Sequence, residues 1–376
     1  MKMNARMLSI VAGLFVIGLL SGVAERLTAQ GPATKSAAEP APTAEQKFKN
    51  IQVLKNIPAD QLIPSMQFIS ASLGVECDFC HVEHAMDKDD KKEKLTARKM
   101  ITMTMAINKA NFDGGVEVTC YSCHSGAEHP VGTPILSAEA MPPMSMHEEE
   151  TPPALPSAQK ILDNFLAAMG GAAALNNIKT RVQIGRIDAF GDKYPIEVYS
   201  EGPDKRVSIS HPKSGDSVTA FNGEAGWLSM PHGFHSMTAA EAQAASIDAQ
   251  LYFPARLPQL YQQFRVRPGE TIDGRPTYRL SAKSKDLPAL NLYFDEQSGL
   301  LLRMIRYAET PLGNNPTQID YADFRVVDGV KIPFRWTLAR PNGRFTIQVE
   351  DTKQNVPVDE KLFVMPSPPP SPPEKR

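Results

Sequence analysis

No uncharged apolar run long enough to cross a bilayer as a helix recurs after residue 24 of this 376-residue sequence, so the chain beyond that point is expected to be soluble. An excess of charge of one sign is missing too. Lys and Arg (40) against Asp and Glu (42) leave a net charge of −2, which disfavours nucleic acid or an anionic membrane surface as a partner. Cysteine is limited to four residues, none outside two short motifs, which disfavours a disulfide framework. Apolar content is not scarce: at 42% hydrophobic and 22% charged the composition is that of a folded protein with room for two or more cores. Glycine (24) and proline (32) exceed average usage and must collect in linkers and turns.

Punctuation of this kind divides the chain. Residues 1–29 read as an export segment: Lys2 and Arg6 precede an apolar run from Met7 to about Ala24, and small residues precede cuts after Ala24 or Ala29. An uncleaved N-terminal anchor in the inner membrane is the alternative, and either way a periplasmic location is expected. Residues 30–45 read as a linker, 46–129 as a first domain, 130–156 as a Pro-rich linker, 157–366 as a second domain and 367–376 as a Pro-rich tail. A tether of that composition transmits little strain, so the two domains are expected to melt independently.

The first domain reads as helical. Leu62, Met66, Ile69 and Leu73 share a helix face that ends at Gly74, and a second helix runs from about Glu93 to Asn111 before Asp113-Gly114-Gly115. The charge run Asp87 to Lys94 between them reads as a solvated loop. In the second domain Ser157 can cap a helix ending at Gly170-Gly171, after which the apolar period changes to two. Runs such as RVQIGRI, KRVSIS, LNLYFD and RFTIQVE, with Asn222-Gly223, Asp273-Gly274, Asp328-Gly329 and Asn342-Gly343 as turns, predict a mostly antiparallel sheet interrupted by one helix near 238–251. Trp227 and the strand aromatics are expected in the core.

All four cysteines fall in two copies of one pattern, Cys77-Asp-Phe-Cys80-His81 and Cys120-Tyr-Ser-Cys123-His124. This spacing is the c-type haem attachment motif: two thiols add to two vinyl groups of one haem, and the adjacent imidazole is carried to the iron. A shared Zn site fits poorly, because 39 residues intervene between Cys80 and Cys120 and zinc would not require both histidines. Two covalently bound haem c groups are therefore expected, with Cys77, Cys80, Cys120 and Cys123 as attachment points and His81 and His124 as iron ligands. For the opposite iron face methionine is the candidate. Met66 precedes Cys77 by 11 residues on the apolar side of its helix, while Met100, Met103 and Met105 all precede Cys120 on one helix, and spacing does not choose among them. The remaining histidines, His84, His129, His147, His211, His232 and His235, read as surface or loop residues.

The stretch from about Phe48 to Gly126, with LKNIPADQLIPSMQFISASLGVECDFCHVE and LTARKMITMTMAIN followed by GVEVTCYSCHSG, resembles the cytochrome c subunit of photosynthetic reaction centres. In that family helical methionines are distal ligands, and its Ala-Arg-x-Met pattern matches Ala97-Arg98-Lys99-Met100, so the resemblance implies Met100 beside Met66. The family subunit carries four haems, whereas two motifs occur here. Residues 157–366, with FNGEAGW, LYFDEQSGLLLRMIRY and DYADFRVVDGVKIPF, resemble the periplasmic lipoprotein-carrier fold, a curved half-barrel, and bring no Ser-His-Asp setting, paired carboxylates or phosphate loop.

The expected architecture is thus multidomain: a small all-α dihaem c-type cytochrome domain followed by an α+β, mostly antiparallel half-barrel. The expected function is electron transfer rather than bond-making catalysis, with a redox partner protein and a C-terminal domain that docks a partner or binds a hydrophobic small molecule. The alternatives are a dihaem peroxidase-like oxidoreductase, which needs an open distal iron face, and a lipid or quinone carrier with an accessory cytochrome.

Overall fold

The computed structural model describes residues 42–130 and 154–366 apart from 190, 232 and 342. The export segment, most of the two linkers, the tail, His147 and His232 lie outside the described residues. Among the described residues no helix is long and apolar enough to cross a membrane.

The first domain is built from helices where the apolar stripes foretold them. A short α1 (Ala44–Lys47) starts it, and Ala44, inside the stretch read as linker, is fully buried. Next comes α2 (Leu62–Leu73), which buries Leu62, Phe68 and Ile69 and ends at Gly74 with φ +68°. That glycine is required twice over. Its backbone is left-handed, and a Cβ there would lie 2.3 Å from the carbonyl oxygen of Gly126. The two attachment motifs form single-turn helices, α3 (Cys77–Cys80) and α5 (Cys120–His124), on either side of α4 (Lys92–Asn111).

The second domain opens with α6 (Ala158–Ala168), whose first turn is capped by Ser157 Oγ accepting from the Lys160 amide at 3.2 Å, and α7 (Gly171–Asn176). Six strands follow: β1 (Thr180–Ala189), β2 (Asp192–Glu201), β3 (Lys205–Ser210), β4 (Ser217–Asn222), β5 (Gly226–Met230) and β6 (Gly233–Ser236). Two helices, α8 (Ala239–Asp248) and α9 (Phe253–Leu260), then lead into β7 (Gln263–Pro268), β8 (Thr277–Lys283), β9 (Leu290–Asp295), β10 (Leu301–Thr310), β11 (Gly313–Val327), β12 (Val330–Arg340) and β13 (Gly343–Gln354). The strands make one antiparallel sheet in which each pairs with its sequence neighbour, except that β1 and β13 join the two halves. The predicted antiparallel half-barrel is present. Its core packs Ile161, Leu162 and Phe165 of α6 and Leu257 of α9 against strand residues such as Leu280, Leu292 and Phe294, with the Phe165 and Phe294 rings 5.1 Å apart. Trp227 is buried in a separate cluster with Val207, Ala220 and Phe363. The single helix expected near 238–251 is a pair, because α9 follows with Pro254 in its first turn and Pro258 inside it.

The two domains touch. The β10–β11 turn, Thr310-Pro311-Leu312-Gly313, reaches α2, and Leu312, 1% exposed, joins the cluster of Ala44, Leu54, Leu62, Phe68, Ile69 and Ile101. A Cβ on Gly313 would meet the Phe68 ring at 2.4 Å, and Asn315 Nδ2 donates to Gln67 Oε1 at 3.2 Å. The expectation of two bodies coupled only by a tether gives way to direct packing, which the intervening Pro-rich composition could not reveal.

Candidate functional site

Each Cys-x-x-Cys turn brings its two thiols to one side of a single helical turn. Cys77 and Cys123 are exposed, and Cys80 and Cys120 half-buried. Burial pushes the Cys80 and Cys120 thiols up. Among the described residues no three His, Cys, Asp or Glu side chains converge as a metal site.

The histidines are set by their second nitrogens. His81 Nδ1 lies 2.9 Å from the Met86 carbonyl oxygen, and His124 Nδ1 lies 3.0 Å from that of Ala127. A carbonyl only accepts, so both Nδ1 atoms donate, and Nε2 is the ring nitrogen left facing away from that bond. That is the arrangement an imidazole needs to donate to iron while a backbone oxygen fixes its orientation.

The loop that orients His81 is pinned by charges. Lys94, buried despite the charge run it ends, donates to the Met86 and Lys88 carbonyls at 2.8 and 2.6 Å and lies 3.2 Å from Asp89. Arg98 donates to Asp89 at 2.9 Å, and Asn50 Nδ2 donates to the other Asp89 oxygen at 2.8 Å. The hydrogen bond from Arg98, helped by Lys94, holds the Asp89 carboxyl well below the usual carboxylate range. The solvated loop expected from sequence is thus in part a clamp on the loop whose Met86 carbonyl orients His81. Lys94→Ala should leave two carbonyls short of a donor, at about 1–3 kcal/mol for each group left unsatisfied. Thermal melting of the haem-loaded chain reads the loss, and an unchanged melting temperature would deny the clamp.

At the second motif, Asn108 on α4 donates to the Val118 carbonyl at 2.7 Å and accepts from the Val118 amide at 2.9 Å. This buried side chain copies a strand partner and fixes the approach to Cys120, a role that an Asn near a helix end does not advertise in sequence. Thr119 then caps α5, exchanging hydrogen bonds with Ser122.

Of the fourteen large apolar side chains that stand exposed among the described residues, nine lie in residues 42–130, including Met100 (38% exposed), Met103 (45%) and Met105 (43%). Met66 is half-buried against the cluster that also takes Cys120. Along the chain α5 packs on α2 and α3 on α4, so each motif lies beside a helix that carries candidate methionines. Apolar flanks, paired thiols and carbonyl-oriented imidazoles fit a porphyrin bound through two thioethers. Among the described residues, His84 and His129 are exposed beside Glu83 and Glu128, His211 is bonded to Asp216 and His235 to Glu241.

A second site lies in the half-barrel. A cavity of about 410 Å³ opens between helices α6 to α9 and the concave face of the sheet, lined by apolar residues that include Phe165, Met169, Leu175, Ile196, Phe253 and Trp336. Its size is within the roughly 300–1,000 Å³ usual for small-molecule sites.

Comparison with known proteins finds relatives in sequence and in structure. Residues 22–154 match the family described as photosynthetic reaction centre cytochrome C subunit. The subunit of Rubrivivax gelatinosus is 34% identical over 104 residues, 26% of this chain and 28% of that protein. Cytochrome c-554 of Chloroflexus aurantiacus is 32% identical over 85 residues, 21% of this chain and 20% of that one. The chain therefore spans less than a third of the length of these relatives. Among solved structures, a DUF1329 family protein from Desulfovibrio piger aligns with 55% of this chain and 96% of its own at TM-score 0.39 and 11% identity. A LolA superfamily protein from Nitrosomonas europaea does so over 56% and 99% at TM-score 0.38 and 16% identity. Over residues 22–154 the sequence is thus similar to a family of cytochrome c subunits, and the likeness covers the segment that holds both Cys-x-x-Cys-His motifs.

Proposed function

We propose that the protein is an exported, periplasmic dihaem cytochrome that passes electrons to or from a redox partner protein, and that its half-barrel domain holds a hydrophobic small molecule. The observation that supports the first part best is the pair of histidines, each next to two thiols and each turned by a carbonyl at Nδ1 so that Nε2 is free to donate. Bound haem supplies a one-electron iron couple. The chain would supply the groups that hold it: Cys77, Cys80, Cys120 and Cys123 would anchor the porphyrins through thioethers, and His81, His124, Met66 and Met100 would be the iron ligands. A closed coordination sphere favours electron transfer over chemistry with peroxide. For the second part the support is the cavity beneath α6 to α9.

Met66→Ala and Met100→Ala should each open one haem to cyanide and remove half of the weak near-infrared sulfur-to-iron band of the oxidised protein. Loss of that band in Met103→Ala instead would transfer the role of Met100 to its neighbour. Peroxide turnover by the unaltered protein would favour the peroxidase-like alternative.

A further inference from the structure

The cavity of the half-barrel is not uniformly apolar. Three guanidinium groups line it: Arg181 on β1, Arg206 on β3 and Arg340 at the end of β12. Arg181 and Arg206 both stand opposite Ser200 of β2 in the register, so they share the concave face one strand apart, their Cα atoms roughly 9–10 Å from each other at ordinary strand spacing.

None of the three has a carboxylate partner among the described residues. Arg181 donates to the amide oxygen of Gln354 at 3.0 Å. Arg206 reaches the Asp248 main-chain carbonyl at 3.5 Å and lies over the Trp336 ring at 5.7 Å. Arg340 makes no side-chain hydrogen bond or ion pair there. The one acid that lines the cavity, Asp248, is bound to Arg306. Glu241, the other acid that Arg340 senses, is taken by His235 and by the Thr238 amide at the start of α8.

Burial lowers the pKa of Arg181, to about 10, with the Arg206 guanidinium adding to the effect, and lowers that of Arg206, where the nearby Asp248 carboxylate works against it. Charges brought together at an apolar wall destabilise the fold unless an anion joins them. The serine and threonine pairs Ser208–Thr219 and Ser210–Ser217 continue the polar strip on β3 and β4, while α6, α7 and α9 cover the rest of the cavity with apolar side chains.

Resting on the reading of this domain as the seat of a hydrophobic molecule, we propose that its ligand is an anionic amphiphile, an acyl or alkyl chain with a carboxylate or phosphate head, whose head is received by Arg181 and Arg206. The chain then lies against Phe165, Met169 and Phe253.

The test displaces a neutral fluorescent dye from the full-length, haem-loaded protein with four probes of equal chain length: tetradecanoate, tetradecyl phosphate, tetradecanol and tetradecyltrimethylammonium. At least one anion should displace the dye at about one-tenth the concentration of the alcohol, as one or more charged hydrogen bonds imply. Whichever anion does so identifies the head. Arg181→Gln with Arg206→Gln should reduce that preference to about twofold while leaving the alcohol unchanged. If the double variant does not fold, Arg206→Gln alone should still lower the preference about threefold. Equal displacement by anion and alcohol, or tighter binding of the ammonium probe, would overturn the anionic assignment and leave the hydrophobic-molecule reading in place. No displacement by any probe would overturn both.

Discussion

Replacing Cys77 and Cys80 together by alanine is expected to halve the haem content of the chain, from two groups to one, in an alkaline pyridine haemochrome assay on protein matured with a haem-lyase system. Replacing Cys120 and Cys123 should do the same, and all four replacements should leave none. The expectation follows from the separateness of the two turns. Each motif has its own thiols, its own imidazole and its own carbonyl at Nδ1, Met86 for one and Ala127 for the other, so neither depends on the other to hold a porphyrin. A chain that takes up one haem before any substitution, or loses both on the first, would show that the turns act as a single centre.

Leu312→Ala should destabilise the cytochrome domain from a position nearly two hundred residues beyond its second motif. The side chain is 1% exposed and fills a cluster made otherwise of α1, α2, α4 and the segment between the first two. Truncation of a buried leucine costs about 2–5 kcal/mol. For a body of this size that lowers the melting temperature by roughly 4 °C or more, measurable by calorimetry on the full chain. Because Met66 lies on the helix that Leu312 buttresses, one of the two midpoint potentials should move as well, since burial and ligand orientation govern haem potentials. A variant with unaltered melting and unaltered potentials would restore the picture of two bodies on a string.

What the sequence made legible was whatever local chemistry decides. The stripe Leu62, Met66, Ile69, Leu73 and the terminating Gly74 required only a helical period and a left-handed cap, and α2 has both. KRVSIS and LNLYFD are β3 and β9 residue for residue. The turn Asp328-Gly329, with φ +47° and +79°, joins β11 to β12 as its residue types demand. The motifs were legible because covalent attachment tolerates almost no variation in spacing.

Less local features were hidden. Proline at 254 and 258 reads as a helix breaker, yet the first falls where a helix needs no amide partner, and burial of Leu257 holds the rest of α9 together. The clamp of Lys94, Asp89 and Arg98 depends on Asn50, some forty residues upstream of Asp89. No window of sequence shows that a lysine in a charge run will turn inward. Arg181 and Arg206 come from strands that only the sheet register aligns, and they look like ordinary strand residues until it does.

The β1–β13 pairing also sets an order of events. Local helices can form the haem-bearing turns as soon as they emerge, but the centre of the sheet waits for residues 343–354 to meet a strand that begins at residue 180. Contacts of such long sequence separation are slow to form because loop closure precedes any gain. The cluster around α2 is in the same position, since it lacks Leu312 until most of the chain is present. Until then α2, on which α5 packs, lacks one of its walls, and the arrival of the β10–β11 turn closes that helix against its surroundings.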